Sequence, residues 1–243
     1  MSLFNKKKKT HSIGKIIVSE KSTDSKSEGY NKLRDNIMFI NSASGAKVIQ
    51  IESSVAHEAK TTVCCNLAVS LGYSGKKVAV VEVDFRRPVA HRLFNADAEN
   101  GISEYILGKS SVDDIIKKTE YENVNIVTRG GEIDNPALVF TSDKFKSLIE
   151  DLRQRFDYVL FDCAPILQIS DYIHLSKVSD GVILLVAYAT TSKYAVADAV
   201  NELKKNNVKL LGTVFTMYDG KKGDDNYKYY GKYYKKYDKG EAD

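Results

Sequence analysis

Two hydrophobic periodicities alternate along the chain from residue 28 onward. Tyr30, Leu33, Ile37 and Ile40 recur at helical spacing, and Ser42-Ala43-Ser44-Gly45 ends the run, which predicts a helix. Short apolar runs, most of them rich in β-branched residues, then follow at 48–51, 78–83, 124–127, 158–161, 182–187 and 210–215, with helix-length segments between them. Strands without polar alternation, separated by helices, predict an α/β fold: a mainly parallel, doubly wound sheet flanked by helices. Both ends break the pattern. Residues 1–27 are rich in Lys, Ser and Thr around one apolar island at Ile16-Ile17-Val18, and are expected to be a flexible or loosely packed polar leader. Residues 218–243 carry Tyr among Lys, Asp and Gly with no Leu, Ile or Val, so they are expected to form a flexible tail. One domain, 28–217, lies between them.

Composition narrows the picture modestly. A chain of 243 residues that is 43% hydrophobic has enough material for one sizeable core. A net charge of +4 favours solubility and does not by itself call for a nucleic-acid partner. The three cysteines, Cys64, Cys65 and Cys163, have no metal-site spacing and are expected to be reduced. The Lys6–Lys9 run has no apolar stretch behind it and is not a secretory signal; it suits either a solvated end or contact with an anionic membrane surface. The longest apolar run, Val182–Ala187, is too short to span a bilayer, so a cytoplasmic protein is expected.

The chemistry gathers at strand ends. The first run leads into SSVAHEAKTT, residues 53–62, and then into a helix with Val63, Leu67 and Leu71 on one face. A strand, a tight loop and Lys-Thr at a helix start present backbone N–H groups and a positive helix end to phosphate. Lys60 would neutralise phosphate charge and the Thr61 hydroxyl would ligate Mg²⁺. The second run ends in Glu82 and Asp84, alternate positions expected to face the same way, and the run at 158–161 is followed by Asp162. In a parallel sheet these ends share the carboxyl edge, so Lys60, Glu82, Asp84 and Asp162 are expected to converge on one crevice.

SSVAHEAKTTVCCNLAVSLGYSGKKVAVVEVDFRRP, the later YVLFDCAP, the segment EGYNKLRDNI and the tyrosine-rich tail together resemble the bacterial tyrosine kinases of capsule and exopolysaccharide clusters. The resemblance implies a P-loop NTPase fold related to the MinD and ParA ATPases. It implies binding of ATP with Mg²⁺ and phosphorylation of the tail of a neighbouring subunit. The phosphate loop would comprise Ser54, Val55, Ala56, His57, Glu58, Ala59, Lys60, Thr61 and Thr62, with Thr216 near the base. Lys60, Glu82 and Asp84 would be catalytic, and Thr61, Asp84 and Asp162 would hold the metal. Tyr227, Tyr229, Tyr230, Tyr233, Tyr234 and Tyr237 would be acceptors, and Glu28 and Arg34 would make the contacts of a homo-oligomeric ring. The implied partners are a separately encoded membrane chain-length regulator, which would hold the protein at the inner face of the plasma membrane, and a cognate tyrosine phosphatase, with no nucleic acid.

This sequence departs from the family pattern at the nucleotide. Ala56-His57-Glu58-Ala59-Lys60-Thr61 stands where Pro-Gly-Glu-Gly-Lys-Ser is usual, so both loop glycines are absent. Glycine serves such loops by taking positive φ and by admitting close backbone approach. Glu82 replaces an Asp, Ala164 a proline, Thr216 an Asn and Asn31 an Arg. Impaired catalysis is therefore expected, and the alternative is a non-catalytic pseudokinase or adaptor that docks the membrane regulator and is phosphorylated by another kinase.

Overall fold

The computed structural model describes residues 14–19 and 25–218. Its centre is a seven-stranded sheet of β1 (Val48–Ser53), β2 (Val78–Glu82), β3 (Ile116–Lys118), β4 (Val124–Val127), β5 (Tyr158–Asp162), β6 (Gly181–Ala187) and β7 (Leu210–Thr216), in the order β3-β4-β2-β5-β1-β6-β7. All neighbours pair in parallel except β3 and β4. The six apolar runs thus became six parallel strands. The seventh, β3, was not read from the sequence, because its three residues, Ile-Lys-Lys, give too short a pattern.

Strand alternation divides the core in two. Ile49, Ile51, Val78, Val80, Ile126 and Leu160 face α2 (Lys60–Tyr73) and, beyond it, α1 (Ser25–Ser44). Val48, Ala79, Val81, Val127, Val159 and Phe161 face the helices of the other layer. The long helix there is α7 (Asp143–Arg155), which buries Phe145, Leu148, Ile149 and Leu152 at i, i+3, i+4 and i+7. Each such side chain contributes about 1.5–3 kcal/mol by leaving water. Short helices α3 (Ala90–Leu93), α4 (Ile102–Ile106), α5 (Val112–Ile115), α6 (Pro136–Thr141) and α8 (Asp171–Leu175) fill the connections, and α9 (Lys193–Lys205) covers β6. Asn135-Pro136 caps α6: the Asn135 side chain accepts the Leu138 N–H and Pro136 opens the helix.

The start of β1 is fixed by one carboxylate. Asp180 Oδ2 accepts the N–H groups of Lys47 and Val48, each at 2.7 Å, and pairs with Arg153 at 2.8 Å. Burial pushes the Asp180 pKa up, but the Arg153 guanidinium and the two backbone donors outweigh it and hold the carboxyl below its ordinary range.

The leader expectation needs correction for residues 14–19. Ile17 N and Val18 N donate to Asn66 Oδ1 at 2.7 and 3.2 Å, while Asn66 Nδ2 donates to Lys15 O and Thr62 O. Val18 is buried in the core beside α2. A polar composition hid this docking because one buried Asn satisfies three backbone groups of the segment and one of the helix. The remaining leader residues, Lys6–Lys9 among them, and the tail beyond 218 lie outside the described residues.

Candidate functional site

The order β2-β5-β1 explains how distant residues meet. Three adjacent strands deliver the loop before Lys60, the loop carrying Asp84 and the terminal Asp162 to the same carboxyl edge. A cleft of about 420 Å³ opens there, lined by Ala56, His57, Ala59, Lys60, Thr61, Thr62 and Asp84 together with Arg86 and Arg87.

The loop adopts the conformation that glycine would supply, without glycine. His57 and Ala59 both stand at φ +68°, in the left-handed region. For L residues that region costs about 1–2 kcal/mol each, so something must hold the loop there. The strut is Glu58. Its side chain accepts from Val55 N at 2.9 Å and from Ala187 N at 3.1 Å, and it takes the Thr191 hydroxyl as well. The Thr216 hydroxyl donates to Glu58 O at 3.1 Å. Thr216, expected near the base, is therefore buried as a support of the loop. Ser54, Val55 and Glu58 likewise sit behind the cleft surface.

At the loop's end Lys60 is buried, 8% exposed, and Nζ donates to Ser53 Oγ at 3.0 Å. Asp162 lies beneath, 1% exposed, bonded by the Thr61 hydroxyl, with Oδ1 lacking any partner among the described residues. Burial raises its pKa to about 7; the Asp84 and Glu82 carboxylates add to the rise, against the Thr61 hydroxyl and Lys60. Asp84 is half-buried, and burial raises its pKa too, against hydrogen bonds from the Arg87 and Arg86 backbone and the charge of Lys60. An orphaned buried carboxylate oxygen, a hydroxyl and a second carboxylate form an all-oxygen donor set, which fits Mg²⁺. Among the described residues no cluster of three or more His, Cys, Asp or Glu closes on a metal alone. Phosphate oxygens would complete such a shell, and Asp162 must give up its proton before it ligates.

Glu82 is not in this cleft, contrary to the expected convergence. β2 ends at Glu82, and Val83 N and Asp84 N both bond to Asp162 O, which breaks the strand alternation. Glu82 instead faces a neighbouring cavity, 1% exposed, with His91 Nδ1 at 2.9 Å from Oε1 and Arg129 N donating to Oε2 at 3.2 Å. His91 and Arg129 escaped the sequence reading, since nothing in their local pattern marks them. Glu52 was also missed. It is wholly buried below the loop, beside Cys163, with Oε2 unpartnered among the described residues, and burial pushes its pKa well above the ordinary value. A lone acid inside a buried strand was its only sequence signal.

Elsewhere, Glu28 is exposed on α1, and Arg34 bonds to Asp35 and to Asn31 Oδ1 on the same helix. All three cysteines are buried free thiols. The six acceptor candidates from Tyr227 to Tyr237 lie outside the described residues.

With this geometry in hand, similarity to known proteins is decisive. The family described as an AAA domain matches residues 46–211, from β1 into β7. The tyrosine-protein kinase YwqD of Bacillus subtilis is 33% identical over 207 residues, 84% of this chain and 86% of that one. This chain belongs to the bacterial tyrosine-protein kinases, within the P-loop NTPases. The family's lengths differ: the chain spans only 27% of the 30%-identical tyrosine-protein kinase ptk of Acinetobacter johnsonii, which matches 82% of this chain. Among solved structures, the chimerical protein CapA2B2 superposes with a TM-score of 0.78 at 31% identity, covering 82% of this chain and 88% of that one. The septum site-determining protein MinD of Pyrococcus horikoshii, complexed with Mg-ADP, gives 0.60 at 26% identity, with 72% of each chain covered. The fold is that of a MinD-like P-loop NTPase. Among the described residues no helix is long and apolar enough to cross a membrane.

Proposed function

We propose that this chain binds Mg²⁺ and ATP in the cleft at Lys60 and acts in capsule or exopolysaccharide synthesis as a tyrosine-kinase-family protein whose phosphotransfer is slow. The observation that carries the reading is the loop itself: left-handed at His57 and Ala59, tied by Glu58, with Lys60 at its end. Because the bonds of Glu58 hold the loop in this conformation, the cost of the strain falls on stability and largely spares affinity. Lys60 would neutralise phosphate charge, Thr61, Asp84 and Asp162 would hold the cation, and the α2 N-terminus would offer N–H groups to the phosphates. When bound, Mg²⁺ would offset charge on the transferring phosphoryl group. The acceptors would be the tyrosines from Tyr227 to Tyr237 on a neighbouring subunit. Assembly would run through Glu28 and Arg34, activation through a membrane regulator of chain length at the inner face of the plasma membrane, and reversal through a tyrosine phosphatase.

Slow turnover follows from Glu82. A base for the tyrosine hydroxyl must reach it within hydrogen-bond distance, whereas both Glu82 oxygens are engaged by His91 and the Arg129 backbone. The same observation favours a second reading, a pseudokinase that binds nucleotide, docks the regulator and is phosphorylated by another kinase. Titration calorimetry with Mg·ADP and Mg·ATP, with Lys60→Ala as control, tests the site; no binding at millimolar nucleotide would refute it. Tail mass after incubation with Mg·ATP and the regulator's cytoplasmic segment then separates the two readings.

A further inference from the structure

Beside the nucleotide cleft lies a second cavity, of about 440 Å³, whose walls are strongly basic. Arg86, Arg87, Arg92 and Arg129 line it together with His91, and among the described residues Glu82 is the only carboxylate in the lining. Glu82 is sealed by His91 and the Arg129 N–H, and Arg86 is paired with Asp171 at 2.6 Å. The Arg87 and Arg92 side chains are exposed and make no hydrogen bond or ion pair among the described residues. Arg129 is fixed in place, Nε donating to Gly130 O and one terminal nitrogen to Phe85 O, which leaves guanidinium N–H groups over. Three guanidinium groups, one of them held rigid, thus surround a space large enough for a small organic ligand. Neither the nucleotide nor the acceptor hydroxyl, as assigned above, makes use of them.

We propose that this cavity binds a phosphomonoester dianion, the phosphate of a phosphotyrosine in the tail of a second copy of the chain. Guanidinium forks match phosphate geometry and hold it through charge-assisted hydrogen bonds. The two cavities share Arg86, Arg87 and Val89 as a common rim. A peptide lying across that rim places one residue toward the transferable phosphate and another, a few residues away, in the arginine cavity. The tail suits such a peptide: Tyr227, Tyr229, Tyr230, Tyr233, Tyr234 and Tyr237 recur every one to three residues. At about 3.3 Å of rise per residue, a phosphotyrosine two to four residues from an acceptor is displaced by about 7–13 Å. A tail phosphorylated once then binds more tightly than an unmodified one, and modification spreads along the cluster. The inference rests on the tail being the substrate, but its test requires no turnover.

Two fluorescein-labelled peptides of residues 224–238, one with phosphotyrosine at position 233 and one unmodified, would be titrated with the purified protein by fluorescence anisotropy. The phosphopeptide should bind at least tenfold more tightly, and Arg92→Ala should remove most of that advantage. Lys205→Ala, which removes an exposed cation on α9, should leave it in place. Saturating Mg·ADP should not displace the phosphopeptide. Free phosphotyrosine should compete at lower concentration than inorganic phosphate. Equal affinity of the two peptides overturns the proposal, as does displacement by Mg·ADP, loss of the advantage in Lys205→Ala or its full retention in Arg92→Ala. Equal competition by inorganic phosphate overturns the phosphotyrosyl assignment in favour of a general phosphate site. If the phosphopeptide binds as expected and no ATP is turned over, the kinase reading fails and this one stands.

Discussion

Restoring glycine at both left-handed positions, His57→Gly with Ala59→Gly, separates strain carried by the fold from strain drawn at binding. At φ +68° each non-glycine residue is strained by about 1–2 kcal/mol. Glycine relieves that but loses roughly 0.5–1 kcal/mol more chain entropy on folding. The expected net gain is therefore up to about 1.5 kcal/mol per site, or up to roughly 3 kcal/mol for the pair. In a chain of this size each kcal/mol shifts Tm by about 2–4 °C, so scanning calorimetry should show a rise of up to about 12 °C. Nucleotide affinity should move far less, by under about threefold, because the bonds of Glu58 hold the loop left-handed and keep the difference between free and bound states small. Calorimetric titration of the same variant with Mg·ADP provides the second number. An unchanged Tm accompanied by tenfold tighter binding would refute the reasoning, since it would mean that the loop relaxes when empty and is strained only by the ligand.

Glu58→Ala removes the strut, leaving the half-buried Val55 N–H unpaired at about 1–3 kcal/mol and Ala187 N–H with only the Thr191 hydroxyl as acceptor, so chemical denaturation should reveal a clear loss of stability and amide exchange should quicken at residues 54–59. Asp180→Asn should destabilise by roughly 1–3 kcal/mol at neutral pH. Because the native carboxyl titrates below its unfolded value, its contribution is present above the unfolded pKa of about 3.9 and is lost as pH falls through the lower native one. Acid titrations of wild type and variant should accordingly differ at pH 6 and converge near the acid limit. Asn66→Ala should release residues 14–18, seen as faster amide exchange at Ile17 and Val18; continued protection there would show that Val18 burial alone seats the segment.

Much of this protein is written in the order of its residues. β-branched runs at regular separation specify a parallel sheet, because strands covered on both faces are apolar at most positions, and such runs marked six of the seven strands, the largely exposed edge strand β7 included. The meeting of Lys60, Thr61, Asp84 and Asp162 was legible for a related reason: strand ends of a parallel sheet share one edge, and the apolar runs mark those ends. What the tertiary structure alone decided is direction and partnership. Glu82 and Asp84 differ by two positions and should face alike, yet the strand stops at Glu82 and the Asp162 carbonyl captures the next two N–H groups, so one acid turns to the arginine cavity and the other to the nucleotide cleft. Ala59 tolerates positive φ only because Glu58 is tied to Ala187 and Thr191, more than 120 residues further along. Local pattern encodes elements and their ends, but a bond between residues so far apart depends on which strands become neighbours, and that is settled only when the sheet assembles.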